Sequence, residues 1–232
     1  MRSKGLKAIT AAWMILAMIG LSACRGAQRQ PELPPQAPPE GAGWMNLLSP
    51  EHAGHWEELT GRNEIFSIEN GELTIHGRFL PLPLRYVAYK GQEFGDFELH
   101  IDFKVTRRAN SGVFLRSNPD DPVGRGMEVQ VLDSYGDRPH HHGAGSVYDV
   151  ITPMFNPSMP VGEWNSYRIR LEGDELEVVF NGIKVIDADL SQLTMPIGKF
   201  DTPYAELPKE GLIMLQDHGG EVYFRNIFVR EL

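Results

Sequence analysis

GMEVQVLD (residues 126–133) decides the fold class. Its strict alternation puts Met127, Val129 and Val131 on one side of an extended strand, with Glu128, Gln130 and Leu132 on the other. The segments around it repeat that period of two. FSIENGELTIHG (66–77) sets Asn70-Gly71 between two alternating runs, the strongest short-range hairpin signal. DFELHIDFKV (96–105) alternates Phe97, Leu99, Ile101, Phe103 and Val105 against Glu98, His100, Asp102 and Lys104. That pattern predicts a strand with one solvated face and makes His100 a surface residue. VFLRS (113–117), SYRIRLEG (166–173), ELEVVFNGIKVID (175–187, turning at Asn181-Gly182), GLIMLQDHG (211–219) and EVYFRNIFVREL (221–232) continue the series. Short antiparallel strands between turn residues, without long helical periodicity, predict an all-β sandwich or barrel. A short helical turn is expected at Asp189–Leu193, and FLPLPLR (79–85) is too proline-rich for an interior strand.

The 232 residues are 41% hydrophobic and 23% charged, which suits a single globular domain once the non-globular start is set aside. A formal net charge of -9 with no basic run argues against a nucleic-acid partner, because phosphate binding depends on clustered Lys and Arg. At the start, Arg2, Lys4 and Lys7 precede the apolar run AITAAWMILAMIGL (8–21), the n-region and h-region of an export signal. It ends in LSAC, which resembles a bacterial lipobox. That resemblance implies a signal peptide over 1–23, cleaved before Cys24, whose sulfur and new amino group become acylated. Cys24 is the chain's one cysteine, so no disulfide can form within the chain. Arg25 stands where a retention signal usually shows Asp, so the expected location is the bacterial cell envelope, periplasmic or anchored to the outer membrane. Residues 24–43, rich in Pro and Gln, read as a semi-extended tether, and the domain is expected to occupy 44–232.

Six phrases, in order, carry a further resemblance: NSGVFLR (110–116), GMEVQVLD (126–133), GAGSVYDV (143–150), VGEWNSYRI (161–169), the Asn181-Gly182 turn, and LQDHGGEVYFRNI (215–227). Together they resemble the 3-keto-disaccharide hydrolase family from about Trp44 to Leu232. The resemblance implies a concanavalin A-like jelly roll of two antiparallel sheets, whose concave face commonly binds sugars. It also implies a carbohydrate substrate, a glycoside whose C3 hydroxyl is already a ketone. The ketone acidifies the C2 proton, so a base can remove it, the C1 substituent can leave, and water can add afterwards. Such a site needs a base near C2, a hydrogen-bonding or electrophilic group at the C3 oxygen, and a proton donor for the leaving oxygen.

Spacing supplies candidates for those roles. Glu128 and Gln130 share a strand face, and Gln216 and His218 share another. Arg116 alternates with Leu115 and is a candidate guanidinium for the enolate oxygen; the competing reading is a cross-strand ion pair with Glu128. Glu128, His218 and Arg116 are the expected catalytic residues, and Gln130, Asp133, Tyr148 and Gln216 the expected substrate-binding ones. Asp133 falls out of register with Glu128 and belongs to the rim, as ligand group or cap. Tyr148 is suited to donate to a sugar oxygen or to stack on the ring. Trp164 and Asn165 read as a buried core indole and a turn-fixing amide. His140, His141 and His142 are candidate ligands for a divalent metal, although consecutive residues point alternately and rarely complete one centre. No cofactor is firmly implied.

Three other functions compete with this one. A retaining glucanase needs two carboxylates ~5 Å apart, and here Gln130 stands where the middle acid of an E-x-D-x-E strand would be. A Ser or Cys hydrolase lacks its G-x-S-x-G elbow or a spare thiol. A non-catalytic carbohydrate-binding module uses the same residue types and stays open as the alternative. The chain also lacks a dinucleotide fingerprint, so a separate sugar 3-dehydrogenase would have to make the ketone.

Overall fold

The computed structural model describes residues 37–61, 64–77, 84–198 and 200–232. The export signal, Cys24, the first part of the tether and most of FLPLPLR lie outside the described residues. The described strands run in chain order β1 (Met45–Asn46), β2 (Trp56–Glu58), β3 (Phe66–Glu69), β4 (Glu72–Ile75), β5 (Arg85–Tyr89), β6 (Phe97–Val105), β7 (Asn110–Ser117), β8 (Met127–Leu132), β9 (Trp164–Glu172), β10 (Glu175–Phe180), β11 (Ile183–Asp189), β12 (Leu212–Asp217) and β13 (Val222–Glu231). Every strand pairing is antiparallel.

The strands form two sheets. The larger is ordered β11-β10-β9-β6-β13-β4-β3, with β1 also on β13; the smaller is ordered β2-β5-β12-β7-β8. Alternation explains how they pack. Val87, Val113, Leu115, Val129, Val131 and Leu215 turn their apolar sides from the smaller sheet to meet Phe97, Leu99, Ile101, Phe103 and Tyr167 of the larger, and all of these are buried in one core. The two expected hairpins turn at Asn70-Gly71 and Asn181-Gly182, with positive φ at all four residues (51°, 76°, 47° and 80°), the backbone that a two-residue hairpin requires. Asn181 also donates to Asn165 Oδ1 (2.9 Å), which in turn accepts from the Met159 N–H (2.8 Å), so Asn165 fixes a turn as its sequence suggested. A 3-10 turn at Leu190–Gln192 is capped by Asp189, whose carboxylate accepts from the Ser191 N–H at 2.9 Å. Among the described residues, no helix is long and apolar enough to cross a membrane.

Two expectations about the larger sheet are corrected. The polar face of β6 is not solvated: His100 is 1% exposed and stands 3.1 Å from the equally buried Asp102. Because β6 is flanked by β9 and β13, their long side chains cross it. Arg225 and Asn226 both reach Asp102, while Arg230 reaches Glu98. Trp164 is outside the core as well. Its ring lies under the Arg225 guanidinium (3.9 Å to the centroid) and beside Lys104 Nζ (4.6 Å), in a cation–π stack on the sheet's outer face.

Candidate active site

The smaller sheet has a second face, turned away from the core. Strand register lines up its side chains in rows. Tyr86 of β5 faces Gln216 of β12, and Gly112 of β7 faces Gln130 of β8. In the next row, Ala88 faces Met214, Met214 faces Phe114, and Phe114 faces Glu128. Beyond β8 the segment around Val147 adds a further bridge, Val129 with Val147, which carries Ser146 alongside Gln130 and Tyr148 alongside Glu128. Two backbone bonds hold that alignment, Gln130 N–H to Ser146 O (3.0 Å) and Tyr148 N–H to Glu128 O (3.0 Å).

This outer face is recessed rather than open. Tyr86, Ala88, Phe114, Leu212 and Met214 form a small apolar cluster beneath Leu59 and Val123. The ring of Tyr86 stands edge-on to Phe114, centroids 5.1 Å apart. Around that floor the polar groups are buried too, with Glu128 7%, Gln130 2%, Gln216 3% and Tyr86 6% exposed. Burying such groups carries a penalty unless they find partners. Three atoms on the face find none: Tyr86 Oη, Gln216 Oε1 and Ser146 Oγ make no hydrogen bond within the protein. They flank Glu128 and Gln130 on both sides.

Glu128 owes its position to Gly112. A Cβ at residue 112 would collide with the Glu128 carboxylate, so the glycine leaves the space into which the carboxylate folds. Gln130 braces it. With its amide turned to suit its neighbours, Nε2 donates to Ser111 O (2.7 Å) and to Glu128 Oε1 (3.1 Å). Burial, opposed by the adjacent Gln216 amide and reinforced by the Glu128 charge, pushes the Tyr86 phenol up to about 12. Burial, then the charges of Glu128 and Asp149, raises Tyr148 as well. Both phenols therefore stay protonated and able to donate near neutral pH.

The remaining candidates divide. His218 lies just past the end of β12, exposed, with Nδ1 2.8 Å from the Asn110 amide at the mouth of the same face. Arg116 does not join them. Parity would place it beside Phe114, but its φ of 47° rotates the side chain away. Its guanidinium donates instead to Gly95 O (2.8 Å), Gly173 O (2.7 Å) and Asp96 (2.8 Å), tying β7 to the loops of the larger sheet. The reading of Arg116 as an ion-pair partner of Glu128 is corrected by the same bonds. Asp133 acts as a cap, accepting from the Arg108 N–H at 2.9 Å where Arg108 adopts a φ of 61°. Three site residues are not picked out by the sequence: Tyr86, Asn110 and Ser146. Period two in RYVAY puts Tyr86 on an outer face, a signal obscured by the proline-rich FLPLPLR that runs into it.

A buried carboxylate held by an amide thus stands among unsatisfied polar atoms on one face of the smaller sheet. The 3-keto-alpha-glucoside-1,2-lyase-like domain matches residues 42–230, and the chain belongs to that family. A 3-keto-disaccharide hydrolase of Bacteroides thetaiotaomicron is 28% identical over 173 residues, a match that spans 60% of this chain and 60% of that protein. Among solved structures, a Parabacteroides distasonis protein assigned to the glycosyl hydrolases superposes with a TM-score of 0.69 at 28% identity, over 82% of this chain and 99% of its own. The β-glucanase of Bacillus licheniformis shares the fold alone, with a TM-score of 0.52 at 14% identity over 83% of this chain and 100% of that one. The architecture is a jelly-roll sandwich, the strand pattern having implied a sandwich or barrel and the family resemblance the jelly roll.

Proposed function

We propose that this protein cleaves 3-keto-glycosides by elimination, with Glu128 as the base. The observation that carries the proposal is the lone carboxylate: on the outer face of β8, Gln130 occupies the position of a second acid, and it holds Glu128 rather than complementing it. Double displacement needs two carboxylates, whereas elimination beside a ketone needs one base. Glu128 takes the C2 proton, the C2–H electron pair forms the C1–C2 double bond, and the C1–O bond breaks. The aglycone leaves as an alcohol once its oxygen is protonated. Water then adds its oxygen at C1 and a proton returns to C2, completing net hydrolysis. The Tyr86 phenol suits donation to the C3 oxygen and Gln216 Oε1 suits acceptance from a neighbouring sugar hydroxyl; His218, at the mouth beside Asn110, suits proton delivery to the leaving oxygen. Family membership and the name of the Bacteroides thetaiotaomicron relative support the same substrate class.

Turnover in heavy water tests the route. Elimination followed by hydration places deuterium at C2 of the released sugar, and direct displacement at C1 leaves C2 unlabelled. The export signal and Cys24 support a lipoprotein of the bacterial cell envelope, working on sugars that a separate 3-dehydrogenase has oxidised. Mass spectrometry of the mature N-terminus tests that placement, since a diacylglyceryl Cys24 is the expected first residue.

A further inference from the structure

We infer that His141, His142 and Asp149 form a binding site for one divalent transition-metal ion at the edge of the recess. One nitrogen from each imidazole and one carboxylate oxygen lie within 4.8 Å of one another. His142 Nε2 is 3.0 Å from Asp149 Oδ1 and His141 Nε2 is 3.8 Å from it, with both rings partly open to solvent. Those separations approach what ligands sharing a metal at ~2.0–2.1 Å require, and the 54% exposed His141 has room to close the difference. Neighbouring histidines diverge along an extended chain, but here the chain folds back, so that Asp149 takes the place of His140 as the third ligand.

Asp149 is held in place for this from three sides. Its backbone has a φ of 64°, rare for a residue with a side chain. Its N–H donates to His141 O at 2.8 Å, coupling the two ligands. Its carboxylate also fills the space beside Gly198 that a Cβ there would take. His140 is turned to a different task, since its Nδ1 accepts from the His142 N–H (3.3 Å). Two imidazoles and one carboxylate favour zinc, cobalt or iron over calcium or magnesium, which prefer oxygen ligands throughout. Three protein ligands leave coordination positions open to water or another oxygen donor. The ring of His142 stacks on Tyr148 at 4.7 Å, so an ion here would also fix the tyrosine beside Glu128. This inference rests on ligand geometry and stands apart from the catalytic proposal.

The test is Co2+ titration of the full chain, made without a polyhistidine tag and stripped with a chelator, read by visible ligand-field absorption and by metal analysis after gel filtration. One equivalent of Co2+ per chain is expected, together with a rise in Tm; excess Mg2+ should produce neither. His142→Ala and Asp149→Asn should abolish both signals, whereas His140→Gln should keep them. Circular dichroism of each variant separates lost binding from lost fold, and the exposed His141→Ala offers a third ligand deletion that the fold tolerates. Absence of stoichiometric Co2+ binding to the unaltered chain, or undiminished binding by folded His142→Ala and Asp149→Asn, overturns the inference and leaves the cluster as a loop-pinning hydrogen bond.

Discussion

The Glu128 carboxylate occupies the space that a side chain on Gly112, one strand away, would take. The relationship makes a glycine without chemistry of its own into a determinant of where the proposed base stands. Gly112→Ala is therefore expected to displace the carboxylate and its bond to Gln130. Because the neighbour that must move is a side chain, the stability loss should stay at about 1–3 kcal/mol. Turnover should fall by at least ~10-fold, since misplacing a catalytic group by about 1 Å has such effects. Denaturant melts and steady-state kinetics on the same preparation separate the two.

Arg116 is expected to matter for stability and not for chemistry. It is buried, and its three donors join β7 to Gly95, Asp96 and Gly173. Arg116→Ala strands two carbonyls and an aspartate and should cost about 2–4 kcal/mol, allowing for the partly exposed Asp96. Above the melting transition nothing can be compared, but below it the kcat of the folded variant should match the parent. A kcat lowered 100-fold in the folded variant would return Arg116 to the site.

Tyr86→Phe should show the reverse pattern. The hydroxyl has the Gln216 amide beside it but no well-formed hydrogen bond in the protein, so its removal should leave Tm unchanged or slightly higher. Sugar affinity should weaken by about one bond, roughly 1 kcal/mol or more. Isothermal titration with a 3-keto-glycoside and the inactive Glu128→Gln background gives both values without turnover.

Alkaline pH should destabilise the fold through its tyrosines. Tyr86 is raised to about 12, and Tyr89, Tyr148, Tyr167 and Tyr204 are raised too, burial being the first cause in each. These phenols ionise near 10 in the unfolded chain, so above that pH the unfolded state binds fewer protons than the folded one. Stability is therefore fully present below pH ~10 and falls as pH rises from there through the folded-state values. Ultraviolet phenolate titration of the native protein should lag that of the denatured protein across the same range, and coincident curves would contradict the burial of these rings.

The parts of the fold that were legible in the sequence share one property: they depend on local alternation. GMEVQVLD assigns its own two faces, and each Asn-Gly pair marks its hairpin, because period and turn geometry are set within a few residues. What could not be read depends on neighbours in space. His100 looked solvated because nothing in β6 reveals the arginines that β9 and β13 lay across it. Arg116 looked like a site residue because parity assumes a regular strand, and a positive φ at a non-glycine residue leaves no mark in the sequence. Tyr86, Asn110 and Ser146 reach the site through the pairing of β5, β12, β7 and the Val147 segment, an order fixed by topology rather than by any local motif.

On the proposed route a single carboxylate acts only where a ketone acidifies the neighbouring proton. The decisive measurement is aglycone release from a 3-keto-glucoside and from the same glucoside unoxidised, by the parent and by Glu128→Gln. The account predicts release from the keto compound alone, and a fall of ~10²–10⁴-fold in the folded variant with ligand binding largely kept. Equal cleavage of the unoxidised glucoside, undiminished turnover by Glu128→Gln, or binding of both sugars without cleavage of either would contradict it.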